Sequence, residues 1–202
     1  MASRAVARQN AEMELIPAHR KYTIQEYLRL EEYSNVKHEF CGGQIFAMAG
    51  GTVEHARYCA NVIGLLTTVL RGRRCAVQTC DGRIRVRATG LDTYPDVSVI
   101  CGMGERDPED RNAITNPKLL VEVLSPSTEE YDKGEKLEHY KQIPALLEML
   151  FVAHDRKELE VLRREADGSW SVHRAGAGEE VRLESLESNL PVDAVYHDPL
   201  HD

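Results

Sequence analysis

The chain has 202 residues, 42% of them apolar and 29% charged, with 25 basic side chains against 33 acidic and a formal charge of −8. That size suits one domain with its own core, and the acidic balance excludes a protein that coats nucleic acid through bulk electrostatics, though not a local basic groove. No run of about 18 uncharged apolar residues occurs, which excludes a membrane-spanning helix.

The start, "MASRAVARQNAEMELIPAHRKYT", lacks the apolar centre of a secretory signal, so no targeting peptide is expected and residues 1–20 read as a tail. In "TIQEYLRLEEYS", Ile24, Tyr27, Leu28 and Leu30 recur at helical spacing behind Thr23 as N-cap, predicting a helix that ends near Ser34. "KHEFCGGQIFAMAGG" reads as two extended segments around Gly42-Gly43, a hairpin signal. Thr52 then caps a helix whose Ala56, Cys59, Ala60, Ile63, Leu66 and Leu70 form an apolar stripe.

Two short strands follow, 75–79 and 83–87, joined by Cys80-Asp81-Gly82. The second alternates Ile84 and Val86 with Arg83, Arg85 and Arg87, one face apolar and the other basic. "DVSVICG" and "LLVEVLS" are continuous apolar runs suited to central strands buried on both faces, separated by an exposed polar stretch over 102–116. One amphipathic helix is expected from Asp132 to Gln142, then a three-strand meander turning at Asp155-Arg156 and Asp167-Gly168, and a short final element over 179–197. The order predicts a single α/β (α+β, mixed-sheet) domain over 21–197, with a tail at 198–202. Five cysteines, at 41, 59, 75, 80 and 101, are an odd set without a Cys-x-x-Cys pair. Neither a disulfide framework nor a zinc site is expected, and a reducing cytoplasm fits.

Two carboxylates stand out. Asp96 follows a proline at the mouth of one apolar strand ("YPDVSVI"), and Glu122 sits inside the next ("PKLLVEVLSPS"). Like charges brought together in a partly dry site need a cation, proton or base to offset them. Neighbouring strands that bring these acids together would make a compact hard-oxygen site of the kind Mg²⁺ takes. The alternative is that each acid pairs singly with a basic side chain.

"YPDVSVIC…NPKLLVEVLSPSTEEYDKGEKLEHYKQIPALLEMLFV", with the earlier "EFCGGQIFAMAGGTVEH", resembles the Uma family of restriction endonucleases, within the PD-(D/E)xK nuclease superfamily. The resemblance runs from about Tyr22 to Trp170. It implies a restriction endonuclease-like core with flanking helices and an appended antiparallel meander. It implies also a Mg²⁺ (or Mn²⁺) site made by Asp96 and Glu122, with Glu39 of "HEF" assisting as ligand or salt-bridge partner.

The superfamily places a lysine two residues after the strand acid, on the same face. Here that position is Leu124, and the resemblance assigns the amine to Lys136 on the following helix, with Lys133 as its near competitor. Asp132 is expected as that helix's N-cap rather than a ligand, and His55 as a positioning residue. The implied activity is hydrolysis of DNA phosphodiester bonds, with Arg83, Arg85 and Arg87 either facing phosphates or solvated on an edge. Cutting both strands of a duplex suits a homodimer. A non-catalytic binding domain of the same fold and an RNA-directed phosphodiesterase remain open alternatives.

Overall fold

The structure is a computed structural model that describes residues 20–48 and 50–201. All but one residue of the expected N-terminal tail therefore lies outside the described residues. The first helix, α1 (Ile24–Tyr33), opens on a capping box: the Thr23 side chain accepts from the Glu26 amide while the Glu26 side chain accepts from Thr23. β1 (His38–Cys41) and β2 (Gln44–Ala47) pair antiparallel across Gly42 and Gly43, whose φ values of +59° and +83° are the left-handed pair a two-residue turn requires. Thr52 caps α2 (Val53–Val69) by accepting from the His55 amide. Its buried line is Val62, Leu66 and, just beyond, Leu70, whereas Ala56 and Ala60 of the expected stripe are exposed.

The remaining elements are β3 (Cys75–Thr79), β4 (Arg83–Val86), β5 (Leu91–Thr93), β6 (Val97–Cys101), β7 (Ala113–Ile114) and β8 (Leu119–Val123), then α3 (Glu129–Lys133) and α4 (Glu135–Tyr140). β9 (Glu148–Val152), β10 (Glu158–Arg164), β11 (Trp170–Gly176), β12 (Glu180–Leu183), β13 (Ser188–Pro191) and α5 (Val192–Val195) complete the chain. A central sheet of order β11-β10-β9-β8-β6-β3 lies against a second sheet of order β2-β1-β5-β4-β7, and β12 pairs with β13. β8 and β9 run parallel while the other central pairs are antiparallel, so the sheet is mixed. The expected meander, β9 to β11, is a continuation of that sheet rather than an appendage. Consecutive β3 and β4 belong to different sheets, the chain crossing between them at Cys80-Asp81-Gly82.

Strand alternation sorts the core into two layers. Val97, Val99, Leu119, Val121 and Val123 pack toward α2 and the C-terminal hairpin with α5. Leu120, Leu124, Met149 and Phe151 pack on the opposite face with Ile84, Val86 and Leu91 of the second sheet and with Leu137 and Tyr140 of α4. Glu122 sits between Leu120 and Leu124 in sequence, so it shares their face and looks toward α4.

Several expectations are corrected by contacts distant in sequence. The single helix over Asp132–Gln142 is two helices broken at Gly134, where a Cβ would stand 2.5 Å from the Glu130 carbonyl oxygen. The stretch 102–116 is not uniformly exposed: Asp107, Asp110 and Ala113 are buried. Those acids meet the arginines of β4 and its end. Arg83 pairs with Asp110 and donates to the Tyr94 hydroxyl at 2.9 Å, Arg85 pairs with Asp92, and Arg87 reaches Asp107 at 2.9 Å. The basic face is therefore neutralised within the protein and is not a row of free phosphate contacts. Cys75 and Cys101, directly opposed on the edge pair β3–β6, form a disulfide that an odd cysteine count gave no reason to expect.

Candidate active site

Four side chains from three elements converge beneath α4. Glu39 comes from β1, Glu122 from β8, and Lys136 and Tyr140 from α4, where a spacing of four puts both on one helical face. The Lys136 Nζ lies 3.0 Å from Glu122 Oε1, 3.2 Å from Glu39 Oε1 and 3.4 Å from Asp132 Oδ1. Lys136, Glu122 and Glu39 are all buried. The Tyr140 hydroxyl donates to Glu122 Oε1 at 2.8 Å, the Tyr131 hydroxyl donates to Glu39 Oε2 at 3.0 Å, and the Thr93 hydroxyl donates to Glu39 Oε1.

Burial pushes the Glu122 carboxyl up to about 8, against the pull of the Lys136 cation. Burial also opposes the charge on Lys136, but the acids around it, Glu122 foremost, outweigh that cost and hold its pKa well above the ordinary value. The amine is thus an ammonium sealed among carboxyl groups.

Asp96 stands at the entrance to β6. The register pairs Val97 with Val121, so one further step sets Asp96 opposite Glu122 on the neighbouring strand. Its Oδ2 accepts from the Val123 amide at 2.8 Å and lies 3.3 Å from His55 Nε2. The hydrogen bond to Asp96 raises the His55 imidazole above its ordinary pKa despite partial burial. His55 therefore touches Asp96.

Lys133 points elsewhere. Its Nζ lies 3.2 Å from Glu160 Oε1 and over the Phe151 ring, so of the two lysines only Lys136 reaches Glu39 and Glu122. Asp132 is not an N-cap, because Thr128 begins α3 and Gly134 begins α4; it is buried and faces Lys136. Leu124 fills the superfamily's usual lysine position as a buried member of the apolar cluster. Sequence reasoning missed Thr93, Tyr131 and Tyr140. Tyr140 had a signal, four residues after Lys136 in "KLEHY", whereas the two Glu39 partners are joined to it only by the fold.

The donor set suits a hard divalent cation. Glu122 directs both of its contacts through Oε1, leaving Oε2 without a hydrogen bond among the described residues. Glu39 has both oxygens engaged, by Thr93 and Lys136 on one and Tyr131 on the other. Asp96 Oδ2 is engaged by the Val123 amide and His55, and Glu122 lies opposite it in the register with one oxygen free of hydrogen bonds among the described residues; carboxylate oxygens are the donors a hard divalent cation takes.

Comparison with known proteins gives the family. Residues 24–193 match the model of Uma2, described as "Putative restriction endonuclease". The chain belongs to the Uma2 family. Two relatives of this Uma2 chain come from Synechocystis sp.: uncharacterized protein slr1290, 37% identical across 87% of this chain and 92% of the relative, and uncharacterized protein sll1609, 33% identical across 73% and 84%. Among solved structures, a crystal structure described as a putative nuclease of DUF820 from Anabaena variabilis superposes with a TM-score of 0.67 over 81% of this chain and 91% of that one. At 15% identity that likeness shows the fold, a nuclease-like one, and not the chemistry. No helix among the described residues is long and apolar enough to cross a membrane.

Proposed function

We propose that the chain is a Mg²⁺-dependent endonuclease that hydrolyses DNA phosphodiester bonds. The observation that carries the reading is the buried Lys136 ammonium of α4, 3.2 Å from Glu39 and 3.0 Å from Glu122, whose strand β8 neighbours the strand that Asp96 opens. A strand acid, an acid on the neighbouring strand and a sealed amine are the components of metal-assisted phosphodiester hydrolysis.

Asp96 and Glu122 hold the ion, which when bound supplies Lewis acidity toward the phosphate and lowers the pKa of water. Lys136 stabilises the negative charge that builds on the phosphoryl oxygens as water adds to phosphorus and the opposite P–O bond breaks. Glu39, itself fixed by Thr93 and Tyr131, holds the amine from the far side. Tyr140 orients Glu122, and His55 orients Asp96. The neutralised arginines of β4 leave phosphate contacts to other surfaces. We further propose a homodimer, two such sites serving the two strands of a duplex.

The test is cleavage of single-stranded DNA, duplex DNA and RNA by the purified chain with Mg²⁺ or Mn²⁺. DNA cleavage that falls at least about 100-fold in Glu122→Gln and in Lys136→Met is expected. DNA left uncut under every metal condition, or cut equally by Glu122→Gln, overturns the reading.

A further inference from the structure

Glu39 and Cys41 alternate to the same face of β1, and the face of α4 opposite Cys41 carries Glu135 and His139, four residues apart. The Cys41 Sγ lies 3.5 Å from His139 Nε2, the same nitrogen lies 3.8 Å from Glu135 Oε1, and all three atoms fall within 4.8 Å of one another. We propose that Cys41, His139 and Glu135 form a binding site for one Zn²⁺ ion, separate from the hard-oxygen site and independent of the nuclease reading.

Two of the three distances are close to those a zinc ion would set, and the third lies within 4.8 Å. Bond lengths of about 2.3 Å to sulfur and about 2.0 Å to nitrogen or oxygen give tetrahedral ligand–ligand edges of roughly 3.3 to 3.6 Å. The sulfur–nitrogen edge of 3.5 Å already matches, and the nitrogen–oxygen edge of 3.8 Å needs to shorten by about 0.5 Å. Thiolate, imidazole and a single carboxylate are a borderline-soft set that favours Zn²⁺ over Mg²⁺ or Ca²⁺. His139 makes both of these polar contacts through Nε2. Glu135 is 71% exposed, so an ion reaches the site from solvent and a water takes the fourth position.

A second trio, His55, Cys59 and Asp96, also lies within 4.8 Å but is built differently. There the sulfur approaches Nδ1 at 3.6 Å while the carboxylate approaches Nε2 at 3.3 Å, on opposite sides of the ring. A single ion does not meet both contacts. At His139 both partners meet one nitrogen.

An ion at Cys41 ties β1, the source of Glu39, to α4, the source of Lys136. It is a structural clamp beside the acid cluster, holding the two elements that the buried ion pair also joins.

The experiment titrates the chelator-treated full chain with Co²⁺, which reports a thiolate ligand as a sulfur-to-metal charge-transfer band. One equivalent with a strong band, displaced by Zn²⁺, is expected. The band disappears in Cys41→Ser, and binding weakens at least 10-fold in Glu135→Gln, an exposed change that leaves folding intact. It persists in Cys59→Ser, Cys80→Ser and Glu122→Gln, so its outcome is separable from that of the cleavage assay. Absence of a band, a band that survives Cys41→Ser, or one that is lost in Cys59→Ser overturns the proposal.

Discussion

Lys136 and Glu122 meet at 3.0 Å although one comes from a six-residue helix and the other from the middle of a buried strand. Each is at most 5% exposed, and each is in direct contact with the other. Removing the lysine takes the shared cation from Glu39, Glu122 and Asp132.

Lys136→Met should therefore strand Glu39, Glu122 and Asp132 around an apolar side chain. A loss of about 3 kcal/mol of stability in metal-free buffer is expected, by urea unfolding. Glu122→Gln should cost less, because its hydrogen bond from Tyr140 survives. Equal stability of Lys136→Met and the parent would contradict the buried ion pair.

The raised Glu122 carboxyl sets a pH dependence whose sign is fixed. Its folded pKa of about 8 stands above the ordinary 4.5, so the folded state keeps a proton that the unfolded chain releases. Its contribution to stability is full below about 4.5 and is lost as pH rises through about 8. Metal binding must displace the same proton, so affinity for Mg²⁺ should climb with pH and level off above about 8. Calorimetric titration of metal at several pH values checks this; affinity flat across that window contradicts it.

Gly134→Ala tests the break between α3 and α4. The new methyl would stand 2.5 Å from a backbone oxygen, with no flexible side chain to yield. Displacement of α4 should cost about 1–3 kcal/mol and carry Lys136 away from Glu39. The expected signature is a lower unfolding midpoint with disproportionate loss of cleavage.

The arginines of β4 should separate by burial. Arg83→Ala leaves Asp110 and Glu31 buried with less positive charge nearby, and should cost about 3–5 kcal/mol. Arg87, half exposed, should cost under about 1 kcal/mol. Neither Arg83→Ala, where folded, nor Arg87→Ala should alter the salt dependence of DNA binding by as much as one phosphate contact.

Much of the site was legible because strand and helix periods are local. Alternation in "LLVEVL" fixes Glu122 and Leu124 on one face, and the four-residue step from Lys136 to Tyr140 fixes a helical face. The choice between Lys136 and Lys133 needed the angle of α4, which the break at Gly134 sets. The acidic partners of Arg83 and Arg87 lie 27 and 20 residues downstream, and Cys101 lies 26 from Cys75. No local pattern announces pairings at such separations. The hairpin at Gly42-Gly43 and the cap at Thr23 were readable for the opposite reason: everything they require lies within four residues.

Leu124 closes off a route back to the usual lysine arrangement. Placing an amine there would bury a second cation in the apolar layer, competing with Lys136 for Glu122, while removing Lys136 first would leave three acids crowded together. Neither single step passes through a comfortable intermediate. The leucine and the helix-borne lysine are therefore coupled in this chain, and a change at either one alone disturbs the packing around Glu122.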